Sequence, residues 1–313
     1  MKDQKYIEHL VFRLSWQDID CEDIRKIISL AIAEDIGGFG LKKKPSYVGD
    51  ITTDTLSKDS RAKANLVARK DLYLCGENLV ALVLDEYSKA FPQDGSCTFT
   101  PAKKDGEFLA KGDIIGTIEG SAKIMLRAER ILLNFLQHLS GIATYTNKFV
   151  KAMGNSKTML LDTRKTIPTH RVLEKFAVAC GGAFNHRIGL FDRVMLKDNH
   201  LAFSASTKGE RLALAVEKSI SQNPDIAVEV EVDSISQIEY VLQAKADVIM
   251  FDNFSVEEIK QAVQLVGDKA WTEISGGVSL DSVAQLATLG CDFISCGALV
   301  HQSTWIDIGL DSV

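Results

Sequence analysis

From residue 158 onward, short apolar runs alternate with amphipathic stretches. The runs 158–163, 193–197, 227–233, 247–252, 271–275 and 293–297 are rich in apolar residues, with acidic residues inside 227–233 and 271–275, as strands covered on both faces are mostly apolar. Between them, 171–180, 234–244, 255–266 and 279–289 carry apolar residues at helical spacing. Ser234 and Ser255 stand as N-caps, each with an amide or acidic residue near N3. Alternation of this kind predicts parallel strands joined by right-handed crossovers, and six strands favour a barrel over an open sheet.

The first 120 or so residues have a different texture. Residues 21–35 read as a helix, 37–50 as a glycine- and lysine-containing loop, 62–75 as a strand pair, 77–91 as a helix and 97–120 as short strands with turns. Together they predict a small α+β domain with an antiparallel sheet. Residues 123–153 are long, apolar and helical in spacing, with Gly141 as the expected break. The domain boundary is therefore drawn between 124 and 125, with the barrel running over 125–313 and its C-terminal end free to return to the first domain.

Composition narrows the class. The chain has 313 residues, 46% hydrophobic and 25% charged, with net charge −6. A non-specific nucleic-acid binder would be basic, and no exposed aromatic–basic stripe is visible. The N-terminus lacks the apolar stretch of a signal peptide, and no apolar run approaches the length of a membrane span. The six cysteines form no CxxC pair, which predicts reduced thiols in a cytoplasmic protein. The lysine run 42–44 reads as a solvated loop, and His138 and His170 as packing or surface residues.

Chemistry collects where the apolar runs end. The first runs into Asp162-Thr163-Arg164-Lys165, the second into Lys197-Asp198-Asn199-His200, and His186-Arg187 lies between. Run 227–233 carries Glu229, Glu231 and Asp233, which alternation places on one face, and run 247–252 ends on Asp252-Asn253. Run 271–275 contains Glu273 and leads into Ser275-Gly276-Gly277, and the last leads into Cys296-Gly297-Ala298. In an α/β barrel the carboxyl ends of the strands form one mouth. This mouth is mainly cationic in an acidic protein, so its ligand is a small, strongly anionic molecule. The two late glycine turns suit a phosphate. Glu231 and Asp252 suit sugar hydroxyls or a phosphate-bound metal, against the alternative of ion pairs with the barrel's own cations. Their retention speaks against a catalytically silent, ligand-binding barrel.

The ordered set AERILLNFLQHLSGIAT, DTRKT, EKFAVACGGAFNHRIGL, KDNH, VEVEVDS, MFDNF, EISGGV and CGALVH, spanning about 125–301, resembles the quinolinate phosphoribosyltransferases, with weaker echoes in AEDIG and GDITT upstream. The resemblance implies an α+β sandwich domain followed by an incomplete, open α/β barrel, assembled as a homodimer or hexamer. It implies transfer of phosphoribosyl from phosphoribosyl pyrophosphate to quinolinate with decarboxylation, in de novo NAD synthesis, with Mg²⁺. By the same resemblance Arg164, His186, Arg187 and Lys197 hold quinolinate, with Thr163 in the same cluster. Arg130 reaches the pocket from the neighbouring subunit. Lys165 and Lys197 meet the pyrophosphate. Glu231 and Asp252 hold the ribose and Mg²⁺, directly or through water. Ser275, Gly276, Gly277, Cys296, Gly297 and Ala298 cradle the 5′-phosphate. The chain departs from the family's pattern at Ile167-Pro168-Thr169, where Thr-Pro-Gly is usual, at Lys245, where glycine is usual, and in the longer connection between Gly37 and Gly49.

Overall fold

A computed structural model describes residue 2, residues 7–197, 199–200 and 209–313; Asp198 of the second charged cluster lies outside the described residues. In chain order the strands are β1 (Arg61–Ala68), β2 (Leu72–Tyr73), β3 (Cys97–Pro101), β4 (Phe108–Leu109), β5 (Ile114–Ser121), β6 (Met159–Leu161), β7 (Val194–Leu196), β8 (Val228–Val232), β9 (Val248–Asp252), β10 (Trp271–Ser275), β11 (Phe293–Ser295) and β12 (Ile308–Ser312). The chain divides into two compact units. One comprises Met1–Arg13, Thr146–Val178 and Gly182–Gln302, and the other Leu14–Tyr145, Ala179–Gly181 and Ser303–Val313.

The first unit is built on one six-stranded sheet in the order β6-β11-β10-β9-β8-β7. Every pairing is parallel. Helices Arg171–Cys180, Ile235–Gln243, Val256–Val266 and Leu280–Leu286 connect the strands. Ser234 and Ser255 each close a capping box, satisfying amides that a helix start leaves unpaired. A further helix, Gly209–Gln222, also lies between strands. It escapes sequence reading because its apolar stripe is thin: Leu212 and Val216 are its buried residues.

The sheet curves as an open barrel, with β6 and β7 at its two free edges. The chain's own N-terminal segment lies along that opening. Phe12 bridges Asn185, Phe184 bridges Leu161, and Arg193 at the start of β7 donates to Leu10 O at 2.6 Å. Leu10, fully buried, plugs the floor with Leu161, Ala227, Val248, Trp271 and Phe293. Four of these stand at or just before the N-terminal ends of β8–β11, so this end is packed shut and the other is left for chemistry.

The second unit has an antiparallel sheet, β12-β1-β5-β3, and a separate two-stranded ribbon, β2-β4. The expected pairing within 62–75 does not form: β5 and β12 flank β1 on both sides, so β2 has no free edge there and joins β4. Helices Cys21–Gly37 and Glu77–Ala90 pack together and are tied by Arg25 Nη1 to Asp85 and Glu86. Lys42, Lys43 and Lys44 are exposed in the following loop. The expected break at Gly141 is also absent, since one helix runs from Ala122 to Met153. A Cβ on Gly141 would overlap the carbonyl oxygen of Thr304, so this glycine serves a close backbone approach. His138 sets its ring 5.7 Å from that of Trp305, the two planes tilted by 52°.

Candidate active site

A cavity of about 820 Å³ opens at the carboxyl ends of β6–β11. Strand ends and the turns after them supply its wall. Thr163, Arg164 and Lys165 follow β6, Lys197 follows β7, Glu231 projects from β8, and Asp252 ends β9. Ser275, Gly276 and Gly277 follow β10, and Cys296, Gly297 and Ala298 follow β11. His186 and Arg187 also reach it. The structure thus brings together the cations, the Glu231 and Asp252 carboxylates and the two glycine turns expected at the site, but not Arg130. Arg130 is exposed on helix Ala122–Met153, belongs to the other unit, and does not line this cavity.

The two glycine turns have the backbone shape such a cradle needs. Gly276 and Gly277 have φ of +87° and +61°. A side chain on Gly276 would overlap the Asn253 amide, while Gly277 faces open space. Gly297 lets the Lys165 chain pass close by: a Cβ there would come within 2.7 Å of Lys165 Cδ. Cys296 is buried, with Sγ 3.4 Å from Val278 O, so packing and not reactivity accounts for it. Burial also pushes its thiol up from the usual range.

Charge is unevenly shared around the wall. Lys197 Nζ lies 3.0 Å from Glu231 Oε2, and Asp252 accepts from Asn253 Nδ2 at 2.9 Å. Among the described residues, Arg164 keeps a buried Nε without a hydrogen-bond partner, and Ser295 Oγ, also buried at the wall, has none. Burial, and next the neighbouring Arg164 charge, pull the Arg187 guanidinium below its ordinary range. Crowded cations with unspent donors are a receptor for an anion.

The acidic residues do not all face this cavity. Alternation along β8 does turn Val228, Val230 and Val232 into the buried packing, but Glu229 is itself fully buried. So is Glu273. Asp233 lies past the end of β8, exposed, where its backbone N–H caps onto Gln237. These three expected mouth residues do not line the cavity. Glu229 meets Arg193 Nη1 at 3.0 Å and His186 Nε2 at 3.2 Å. Burial alone would raise its pKa, but His186 and Arg193 outweigh that and hold it down at about 2.

Asp162 also turns inward. It is fully buried and accepts from Lys175 Nζ, from Asn185 Nδ2 at 2.8 Å and from His186 N at 2.8 Å. This pair sets the loop that carries His186 and Arg187. Lys175 and Arg193 escape sequence reading because a buried cation inside an apolar helix or beside a strand has no periodic signature. Their only mark is a charge in an otherwise core-like context. Asn253, placed at the mouth by the sequence, also lines the cavity, as do Ser279, Ser295 and His301; in sequence Ser279 looks like an ordinary turn residue and Ser295 like part of a strand.

Residues 142–311 match the family model described as quinolinate phosphoribosyl transferase, C-terminal domain, and residues 50–140 the corresponding N-terminal domain. The chain is 38% identical over 298 residues to the nicotinate-nucleotide pyrophosphorylase [carboxylating] of Mycobacterium leprae, covering 93% of this chain and 99% of that one. It is 34% identical over 288 residues to the probable enzyme of that name from Bacillus subtilis, covering 92% and 93%. Among solved structures, the nicotinate-nucleotide pyrophosphorylase of Francisella tularensis superposes with a TM-score of 0.83 at 35% identity, covering 96% of this chain and all of that one.

Proposed function

The chain belongs to the quinolinate phosphoribosyltransferase family, and from that premise we propose how its cavity performs the reaction. The enzyme is a carboxylating nicotinate-nucleotide pyrophosphorylase of NAD biosynthesis. It joins quinolinate to phosphoribosyl pyrophosphate and releases pyrophosphate and carbon dioxide. The observation that carries the assignment of roles is the ring of Arg164, Lys165, Arg187 and Lys197 around one cavity that also holds Glu231, Asp252 and two glycine turns.

In this reading Arg164, Arg187 and Lys197 hold the two carboxylates of quinolinate, beside Thr163 and with His186 behind them. Lys165 and Lys197 meet the pyrophosphate. Ser275, Gly276, Gly277, Cys296, Gly297 and Ala298 surround the 5′-phosphate, where bare backbone suits an anion. Glu231 and Asp252 lie toward the ribose. Breaking the bond from C1 to pyrophosphate develops positive charge on the sugar, which those carboxylates stabilise. The pyridine nitrogen attacks C1 and becomes cationic. The carboxylate beside it then leaves as carbon dioxide, its bonding pair drawn toward the ring cation, and the ring carbon takes a proton. No side chain need act as a general base; the protein orients reactants and places charge.

Glu231 and Asp252 also fit Mg²⁺, since a pair of carboxylates beside a pyrophosphate subsite is the hard-oxygen donor set that ion takes. They would hold it directly or through water, and it would neutralise the departing pyrophosphate. Arg130, exposed and not among its own cavity's lining residues, fits a role in the site of a partner subunit, in a homodimer or larger assembly. The six free thiols support a cytoplasmic setting. Among the described residues no helix is long and apolar enough to cross a membrane.

The test is an assay with quinolinate, phosphoribosyl pyrophosphate and Mg²⁺, following nicotinate mononucleotide and carbon dioxide together. Equal yields are expected, with nicotinate a poor replacement for the dicarboxylate. Arg187→Ala and Lys197→Ala should each lower turnover by roughly 10²–10³-fold, the size of losing one preorganised donor. Near-normal rates in both variants would reject these roles.

A further inference from the structure

Beneath the cavity, His186, Glu229 and Glu273 place one ligand atom each within 4.8 Å of one another, and all three are buried. An imidazole with two carboxylates is a metal-type donor set. Glu273 has neither oxygen hydrogen-bonded among the described residues. Yet the place a metal would take is already filled. Arg193, 2% exposed, sets Nη1 3.0 Å from Glu229 Oε2 and 3.1 Å from His186 Nε2. A divalent ion binding these atoms would have to displace a guanidinium.

The same arginine reaches in two further directions. Nη2 donates to Leu10 O at 2.6 Å, fixing it to the N-terminal segment. Its own carbonyl oxygen accepts from Arg187 Nη1 at 3.1 Å. Arg187 is thereby gripped at both ends, because its backbone N–H donates to His186 Nδ1 at 2.8 Å. With Nδ1 accepting, the imidazole carries its proton on Nε2, toward Glu229 at 3.2 Å and Glu273 at 3.5 Å. We propose that Arg193 is the resident cation of a metal-like site and a positioning residue for quinolinate: it fixes Glu229, whose Oε2 also faces His186 Nε2–H, and through that carboxylate and its own carbonyl it aims Arg187 into the cavity. The quinolinate half of this rests on the role given to Arg187 above; the resident-cation half does not.

Two readouts separate these halves. In Arg193→Ala the KM for quinolinate should rise roughly tenfold or more, the size of losing a buried charge-assisted hydrogen bond. The KM for phosphoribosyl pyrophosphate should move less than about twofold. Added guanidinium chloride at low millimolar concentration should recover part of the loss, and sodium chloride should not. Arg193→Lys, which keeps the charge without the fork, should lie between wild type and Arg193→Ala, and it carries the same KM comparison if the alanine variant does not fold. Independently of activity, Arg193→Ala should bind Co²⁺ with the visible spectrum of a nitrogen–oxygen site, whereas wild type should not. Equal rises in both KM values without guanidinium recovery would reduce Arg193 to a folding role. An unchanged quinolinate KM would overturn its positioning role. Failure of Arg193→Ala to take up Co²⁺ would overturn the metal-like site. Wild type inactive on quinolinate would defeat the assignment of Arg187 and, with it, the quinolinate half.

Discussion

Thr169 and Lys245 both hold left-handed backbone, with φ of +73° and +63°. Lys245 follows helix Ile235–Gln243, and its N–H closes onto Leu242 O at 3.1 Å. That is the position where a helix end turns left-handed and glycine is least strained. Thr169 adds branching at Cβ, which makes the same conformation harder to hold. The fold has therefore kept the turns and absorbed the strain. Replacing a strained side chain by glycine relieves about 1–2 kcal/mol, offset in part by the greater freedom of the unfolded chain. Lys245→Gly and Thr169→Gly should each raise stability by roughly 1 kcal/mol in reversible urea melts. A loss of that size in both would mean the side chains stabilise these turns. Glu229 makes an opposite kind of residue-scale statement. Its folded pKa of about 2 lies below its ordinary value of 4.5. A depressed carboxyl stabilises the fold above its unfolded pKa and stops doing so as pH falls through the folded one. Below about pH 5 the stability gap between wild type and Glu229→Gln should shrink steadily toward pH 2. A gap independent of pH over that range would show that Glu229 acts through packing alone.

At the scale of elements, the barrel strands and four of its helices were legible because burial on both faces and amphipathic spacing leave strong periodic marks. Capping serines sharpened two helix starts. What stayed hidden was depth along a strand. Alternation assigns Glu229 and Glu231 to one face of β8, but not that one sits below the cavity floor while the other lines its wall. Strand pairing in the second unit was hidden too, since β1 finds its partners β5 and β12 far along the chain. The site itself was legible in its cations and glycine turns. Its underpinning, Arg193 and Lys175, was not, because a single buried charge carries no pattern. Gly141 shows how one residue supports two readings. In sequence it suggests a helix break; in the structure the helix continues past it, and the bare Cα admits the Thr304 carbonyl. Gly141→Ala should therefore destabilise by about 1–3 kcal/mol, the cost of forcing an overpacked contact. This holds although alanine is the better helix former. Thermal melts of the two proteins would decide it: an unchanged or higher midpoint would show that the Thr304 segment moves aside freely.

For the molecule as a whole, the open question is whether one chain contains a complete site. Its cavity gathers four strong cations, but Arg130 stays exposed on its helix and outside the lining. A bare arginine on a surface is ordinarily a solvated charge, so exposure alone does not make it functional. The proposed role of the Ala128-Glu129-Arg130 motif in a partner's site would give it a function. In a two-fold dimer each site would take Lys197 from one subunit and Arg130 from the other. Arg130→Ala and Lys197→Ala proteins would then each be nearly inactive alone. After subunit exchange about half the dimers are mixed, and in a mixed dimer one site has both native residues while the other lacks both. Mixing equal amounts should restore about one quarter of the wild-type rate, falling back when exchange is blocked by crosslinking beforehand. A mixture that stays inactive, with exchange verified by mass-labelled subunits, would confine each site to its own chain. Arg130 would then be a surface residue, and the cations of the cavity would have to meet both anionic substrates without it.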